Sequence, residues 1–261
     1  MDSNFKELSL ISEAGPFDII GDVHGCYPEL LELLHKLGWR DLEGYTASAL
    51  GYNDAGNARK AVFLGDLTDR GPDSAGVLRL VMGMVAAGQA ICLKGNHDDK
   101  LARKLAGRKV RVGNGLETTL AELSAEPTEI VDQVRDFLQG LVSYCVLDEG
   151  RLVVAHAGIK EDMIGRSDDK VQAFTLYGDT TGEIDELGLP VRRDWAAGYH
   201  GDAMVVYGHT PVTEPQWVHN TINIDTGCVF GGKLTALRYP EGEIVSVPAE
   251  RVYYRREGFG A

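Results

Sequence analysis

No stretch of this chain approaches the ~20 consecutive apolar residues that a membrane-spanning helix needs. Residues Met1 to Ala14 mix charges with only a short apolar patch, unlike a secretory leader. Cys26, Cys92, Cys145 and Cys228 are widely separated, with neither C-x-x-C nor zinc-type spacing. Three of them lie in or beside apolar runs, where a small buried thiol is the expected role. Positive charge is scarce: 26 Lys and Arg against 39 Asp and Glu leave a formal net charge of −13. Duplex nucleic acid is usually held by a broad basic surface, and none is expected here. Together these absences predict a reduced, cytoplasmic protein with no membrane partner and no duplex-DNA surface.

Glycine is abundant instead, at 32 of 261 residues against a typical ~7%. It is spread along the chain, which suggests tight turns and close backbone approaches rather than a low-complexity tract. Phe17–Ile20 reads as a strand. Pro28 then opens a helix whose apolar face is Leu30, Leu31, Leu33, Leu34 and Leu37, stopped by Gly38. Ala61–Leu64 is a second strand, followed by a helix from Pro72 that ends before Gly88. Ala90–Leu93 is a third strand, and a helical pattern runs from Asp98 to about Arg108. Strands alternating with helices argue for parallel β-α-β units. An amphipathic helix follows Pro127, carried by Ile130, Val131, Val134, Phe137, Leu138 and Leu141. From Tyr144 onward YCVL, RLVVAHAG, AMVVYGHT, TINIDTG, KLTALRY and EIVSVP look like strands. The expectation is an α/β domain over residues 15–248 with two packed sheets, residues 1–14 and 249–261 forming peripheral tails.

Five of the apolar runs end at a glycine-flanked Asp, Asn or His. FDII leads into Gly21-Asp22-Val23-His24-Gly25, and AVFL into Gly65-Asp66-Leu67-Thr68-Asp69-Arg70-Gly71. AICLK leads into Gly95-Asn96-His97-Asp98, RLVVA into His156-Ala157-Gly158, and AMVVY into Gly208-His209-Thr210. Ligands in open α/β sheets sit outside the carboxyl ends of strands, so these ends can converge on one site. A single such Asp or His is more often a turn former. Repetition changes that balance, since four of the seven histidines fall in these motifs. Asp22, His24, Asp66, Asn96, His156 and His209 offer oxygen and nitrogen donors without thiolate. That set suits Mn²⁺, Fe²⁺ or Zn²⁺ better than Ca²⁺. Six ligands exceed the needs of one catalytic ion, whereas two ions sharing a carboxylate would use them all.

The series GDVHG, GDLTDRG, GNHD, HAG, GHT resembles the phosphoprotein-phosphatase branch of the calcineurin-like metallophosphoesterases, from about Phe17 to Pro248. The resemblance implies two packed mixed β-sheets flanked by helices, with a two-metal site at one edge. It implies that Asp22 and His24 bind a first metal, that Asp66 bridges, and that Asn96, His156 and His209 bind a second. Mn²⁺ is the expected ion, with Ni²⁺, Fe²⁺, Zn²⁺ or Co²⁺ as alternatives. His97 would protonate the leaving group, Asp69 would orient that imidazole, and Arg70 would hold phosphate oxygens with its planar fork. The alternatives are a packed turn histidine and an Arg70 ion pair with Asp69 or Asp73. Asp225 is a candidate partner for a ligand histidine, or else a turn-capping residue before Gly227.

Within the family, GPFDIIGDVHGCYPEL, LYGDTTGE, RRDWAAGYHG and TINIDTGCVFGGKLTALRYPE are similar to two bacterial groups. One is the phosphatase module of polynucleotide kinase-phosphatases, and the other is the asymmetrical diadenosine tetraphosphate hydrolases. GNHD, FGGKLTALRYPE and SVPAERVYY lean toward the first, which is the preferred reading and implies a metal-bridging hydroxide that cleaves nucleotide or RNA-end phosphates, 2′,3′-cyclic and terminal, with kinase and ligase partners. The second implies dinucleotide hydrolysis, and phosphoprotein dephosphorylation is a further alternative. A catalytically idle, metal-bound scaffold is the rival from another class. Lys100, Arg103, Lys104, Arg108, Lys109 and Arg111 form a basic cluster that could steer an anionic substrate, or be a solvated face. Lys100, Lys104, Arg108 and Arg111 share a face only if the helix persists past Gly107. Arg192 and Arg193 are further candidates for phosphate contact. Gly227 to Lys233 spell G-x-x-x-x-G-K, but Leu234 stands where a P-loop needs Ser or Thr. His35, His200 and His219 have no motif around them.

Overall fold

The computed structural model describes residues 13–42, 52–53, 59–186 and 190–255. In chain order the first half contains β1 (Phe17–Ile20), α1 (Tyr27–Lys36), β2 (Trp39–Arg40), β3 (Tyr52–Asn53), β4 (Lys60–Phe63) and α2 (Ser74–Ala86). It continues with β5 (Ala90–Cys92), α3 (Asn96–Leu105), α4 (Leu116–Ser124) and α5 (Thr128–Gly140). The second half contains β6 (Tyr144–Leu147), β7 (Leu152–Ala155), α6 (Asp169–Tyr177), β8 (Thr180–Ile184) and β9 (Pro190–Arg192). It ends with β10 (Met204–Tyr207), β11 (Gln216–Val218), β12 (Thr221–Asn223), β13 (Lys233–Tyr239) and β14 (Glu243–Pro248).

Two five-stranded sheets have the orders β14-β13-β1-β4-β5 and β11-β12-β10-β7-β6. In the first, β1, β4 and β5 run parallel at one side and β13 and β14 add antiparallel pairings at the other; in the second, the central β7, β10 and β12 run parallel and the outer β6 and β11 pair antiparallel. Both sheets are therefore mixed, as the resemblance implies. The two-residue period of a strand sorts the side chains. Phe17, Ile19, Val62 and Leu64 face a core shared with Leu147, Leu152, Val154 and Val206 of the second sheet. Ile20, Ala61 and Phe63 point the other way, onto Leu30, Leu33, Val77 and Val81 of the helices. On the far side of the second sheet, Val146, Val153 and Val205 meet Phe174 and Trp195. Parallel strands buried on both faces aim their carboxyl ends at one edge.

Two sequence expectations need correction. Helix α3 stops at Leu105, because Gly107 takes φ +75° and ends the helical run. Arg108, Lys109 and Arg111 lie beyond it, so the basic residues do not share one helical face. The second half is also less purely β than expected: α6 interrupts it, with Asp168 capping the Lys170 and Val171 amides. The G-x-x-x-x-G-K stretch is a 3-10 turn, Cys228–Phe230, running into β13, which excludes a P-loop.

Residues 249–255, which the sequence marks as tail, lie against the domain. The Tyr253 hydroxyl donates to Glu29 Oε1 at 2.8 Å, and the Tyr254 ring meets Phe230 edge-on. Of the other expected tail, residues 1–12 lie outside the described residues. Among the described residues no helix is long and apolar enough to cross a membrane.

Candidate metal centre

Three of the five donor motifs leave their strands in turns that an ordinary residue seldom adopts. His24, Asp66, Asp69, Arg70 and His209 all have positive φ, between 47° and 75°. Conformations of this kind cost about 1–3 kcal/mol each and persist where the surrounding structure imposes them. One such constraint is the contact between the second and third motifs. A Cβ on Gly95 would stand 2.1 Å from Asp66 Oδ1 and 2.2 Å from Asp66 N, so only glycine lets the two loops touch. Buried Asp98, which had no role assigned from sequence, ties them by accepting from the amides of Asp66 (2.7 Å), Gly95 (2.9 Å) and Leu67 (3.1 Å).

The five strand ends converge. Asp66 Oδ2 lies 3.5 Å from His24 Nε2, and Asp66 Oδ1 lies 3.6 Å from His156 Nε2. Two three-residue groups share Asp66: His24, Asp66 and His97, and Asp66, His156 and His209, with ligand atoms within 4.8 Å of one another. His156 Nε2 is also 3.2 Å from Asn96 Oδ1 and 3.1 Å from His209 Nδ1. Asp22 sits beside the second group, its carboxylate accepting from the His209 amide at 3.1 Å. In the first group His97 stands where Asp22 was expected.

Two of the imidazoles are held with lone pairs facing inward. His24 Nδ1 donates to the Thr68 carbonyl at 2.9 Å and His156 Nδ1 to the Leu64 carbonyl at 3.1 Å, which leaves each Nε2 as the inward acceptor. His97 Nδ1 lies 2.6 Å from Asp69 Oδ2. Asp69 in turn accepts from Thr119 Oγ1 at 2.7 Å, and its amide donates to the same hydroxyl at 3.0 Å. Arg70 donates to His24 Nε2 and to His97 Nε2, both at 2.8 Å. Its guanidinium lies 5.3 Å from the Phe230 ring centroid and 5.8 Å from that of Tyr254. Arg192 reaches the opposite flank, donating to His209 Nε2 at 2.8 Å.

Burial dominates the electrostatics. It pushes the Asp22 carboxyl well up, helped by the Asp225 and Asp66 carboxylates, and raises Asp66 to about 7. Burial also raises Asp69 to about 6, against the Thr119 hydrogen bond. Burial lowers His156 to about 4 and drives His24, His97 and His209 well below the usual imidazole range. Arg70 is the next cause for His24 and His97, and His156 for His209. Neutral imidazoles with inward lone pairs, set among carboxylates that resist ionising, form a cluster short of positive charge. Divalent cations would supply it, and the oxygen and nitrogen donors fit hard or borderline ions.

A cavity of about 350 Å³ covers this cluster, lined by His24, Asp66, Arg70, Asn96, His97 and His209, with Asp225, Arg192, Phe230 and Tyr254 on its walls. Asp225 Oδ1 accepts from the Gly227 amide at 3.0 Å, the turn-capping arrangement. Lys100, Arg103, Lys104 and Arg193 do not line the cavity. Lys100 Nζ donates to the Gly113 carbonyl at 2.8 Å, Arg103 pairs with Asp99 at 3.0 Å, and Arg193 with Asp179 at 3.3 Å. His200 and His219 meet each other edge-on and are also outside the lining. Thr119, Phe230, Tyr177 and Tyr254 carried no sequence signal, since each reaches the site from outside the strand-end motifs.

Residues 15–213 match the model of the calcineurin-like phosphoesterases. The chain belongs to that family. It is a metallophosphoesterase, an enzyme of a family that uses divalent metals. Over 244 residues it is 51% identical to the asymmetrical bis(5′-nucleosyl)-tetraphosphatase PrpE of Anoxybacillus flavithermus, covering 91% of this chain and 96% of that protein. Over 239 residues it is 53% identical to the protein of the same name from Halalkalibacterium halodurans, covering 90% and 94%. Among solved structures, a protein provisionally assigned as a diadenosine tetraphosphatase superposes with a TM-score of 0.61 at 28% identity, covering 92% and 96%. A Saccharomyces cerevisiae serine/threonine phosphatase reaches 0.62 at 14% identity, covering 95% and 86%, a likeness of fold alone.

Proposed function

We propose that this phosphoesterase cleaves dinucleoside polyphosphates unevenly, splitting a dinucleoside tetraphosphate into a nucleoside triphosphate and a nucleoside monophosphate. The observation that carries this is the similarity, at half identity over nine-tenths of the chain, to proteins named for that reaction. It reverses the order of preference drawn from sequence. RNA-end substrates and kinase or ligase partners find no support among these relatives. The chain spans nearly the whole length of the relatives it matches.

We assign Asp22, His24, Asp66, Asn96, His156 and His209 as the metal ligands, Asp66 being shared, and Mn²⁺ as the first ion to test. Bound divalent ions would acidify a water and neutralise phosphoryl oxygens. The remaining roles belong to side chains. His97, backed by the Asp69 carboxylate, takes up a proton at Nε2 once Arg70 has turned from it to the phosphate, and passes that proton to the departing oxygen. Arg70 and Arg192 flank the centre and hold non-bridging phosphate oxygens. Residues 15–255 form the catalytic unit, because Tyr254 belongs to the cavity wall. The test is product analysis of Mn²⁺-dependent turnover of diadenosine tetraphosphate beside a 2′,3′-cyclic nucleotide. Equal amounts of ATP and AMP from the dinucleotide are expected. Two ADP molecules, or faster turnover of the cyclic ester, would overturn the assignment.

A further inference from the structure

Beside the metal cavity lies a larger groove of about 630 Å³, walled by α6 on one side and the β8–β9 hairpin on the other. The two hollows share Tyr177, Pro190 and Arg192, so they are continuous along one wall. Their characters differ. The metal cavity is crowded with carboxylates, imidazoles and guanidinium groups, in a space that suits a phosphoryl group. The groove carries Phe174, Tyr177, Ile184 and Pro190, with Lys170 and Arg192 as its cations. Ile184 is 62% exposed, an apolar side chain held in water next to a charged centre. Asp179, also on the wall, is engaged by Lys160 at 2.7 Å and Arg193. Grooves of this size with apolar walls and few polar groups take small organic ligands rather than inorganic ions.

Arg192 marks the junction. Its Nε donates to the Tyr177 carbonyl at 3.0 Å while Nη2 reaches His209 Nε2 at 2.8 Å, so one guanidinium borders both spaces. A dinucleoside polyphosphate has this division of chemistry: flat, largely apolar bases at its ends and a chain of negative charge between them.

We propose that the groove between α6 and the β8–β9 hairpin is a nucleoside subsite. One base of the dinucleotide packs against Tyr177, Ile184 and Phe174, and its phosphates pass Arg192 into the metal cavity. This rests on the function proposed above. Lys170 also lines the groove and adds positive charge to its wall.

The experiment uses Ile184→Asp and Lys170→Glu, two exposed positions on the groove wall that do not line the metal cavity. Each variant and the parent are assayed with saturating Mn²⁺ on diadenosine tetraphosphate and on p-nitrophenyl phosphate, which has no nucleoside. The expected result is a fall of about tenfold or more in kcat/KM for the dinucleotide relative to the aryl ester, mainly through KM, since an apolar contact of this kind discriminates by roughly 10- to 200-fold. An unchanged ratio in both variants, with the parent active on the dinucleotide, overturns the subsite. A parent that cleaves the aryl ester but not the dinucleotide refutes the proposed function, and the subsite falls with it.

Discussion

Replacing Asp69 by Asn tests whether the His97 imidazole works as an acid. Asp69 is fully buried, with Oδ2 2.6 Å from His97 Nδ1 and Oδ1 accepting from Thr119. An asparagine can keep the Thr119 bond by turning its oxygen that way. It then presents an NH₂ group to Nδ1 and no longer offsets a positive imidazolium. A net hydrogen bond to a charged group is worth about 1.5–3 kcal/mol, which corresponds to roughly 10- to 150-fold in kcat. The loss should fall on esters whose leaving oxygen must gain a proton, such as a simple alkyl phosphate. It should be under about threefold for p-nitrophenyl phosphate, whose leaving group departs as a stable anion. The assay is kcat for both esters at saturating Mn²⁺. Equal losses on the two would refute the reasoning and reassign Asp69 to holding the loop through Ser74 and Thr119. No loss on either would remove His97 from proton transfer.

Two further outcomes are expected. Tyr254→Ala should raise KM for phosphate esters roughly 2- to 30-fold, because a cation–π contact contributes about 0.5–2 kcal/mol toward holding Arg70, whereas Tyr254→Phe keeps the ring and the affinity. A kcat loss without a KM change would show that the ring does not act through Arg70. Metal stabilisation should depend on pH. Asp66, raised to about 7, binds a proton that the metal must displace, so affinity falls as pH drops through that value. In the metal-free protein, the raised Asp66 contributes stability that is full below the unfolded value of 3.8 and is lost as pH rises through about 7. His156, lowered to about 4, runs oppositely: its contribution is present above 6.5 and lost as pH falls through about 4. Mn²⁺ at a hundred times its Kd adds about 2.7 kcal/mol, or roughly 5–10 °C in Tm for a chain of this size. Melting with and without chelator should show a larger gain at pH 8 than at pH 6, and equal gains would exclude Asp66 as a ligand.

The donor set was legible in the chain because its signals are local. An apolar run with period two, a glycine, and then Asp, Asn or His within three residues says that a strand has ended and what it ends in. FDIIGDVHG states both facts without reference to anything distant, and the parallel β-α-β order places such ends at one edge. The helix after GNHD shows where local reading fails. Gly107 within an otherwise helical pattern is tolerated in some helices and ends others, and here it ends α3 and disperses the basic cluster.

The support of the site was decided only by tertiary structure. Thr119 holds Asp69 from 50 residues away, and Tyr253 bonds to Glu29 across 224. No periodicity records such pairings, because they depend on which faces meet after the sheets have packed. The same holds for Phe230 and Tyr254 around Arg70, and for Tyr177, Pro190 and Arg192 between the cavity and its neighbouring groove. Short motifs determined that this chain would gather carboxylate, amide and imidazole donors at one sheet edge. Packing over long sequence separations decided what surrounds them, and with it the space left for the rest of a substrate.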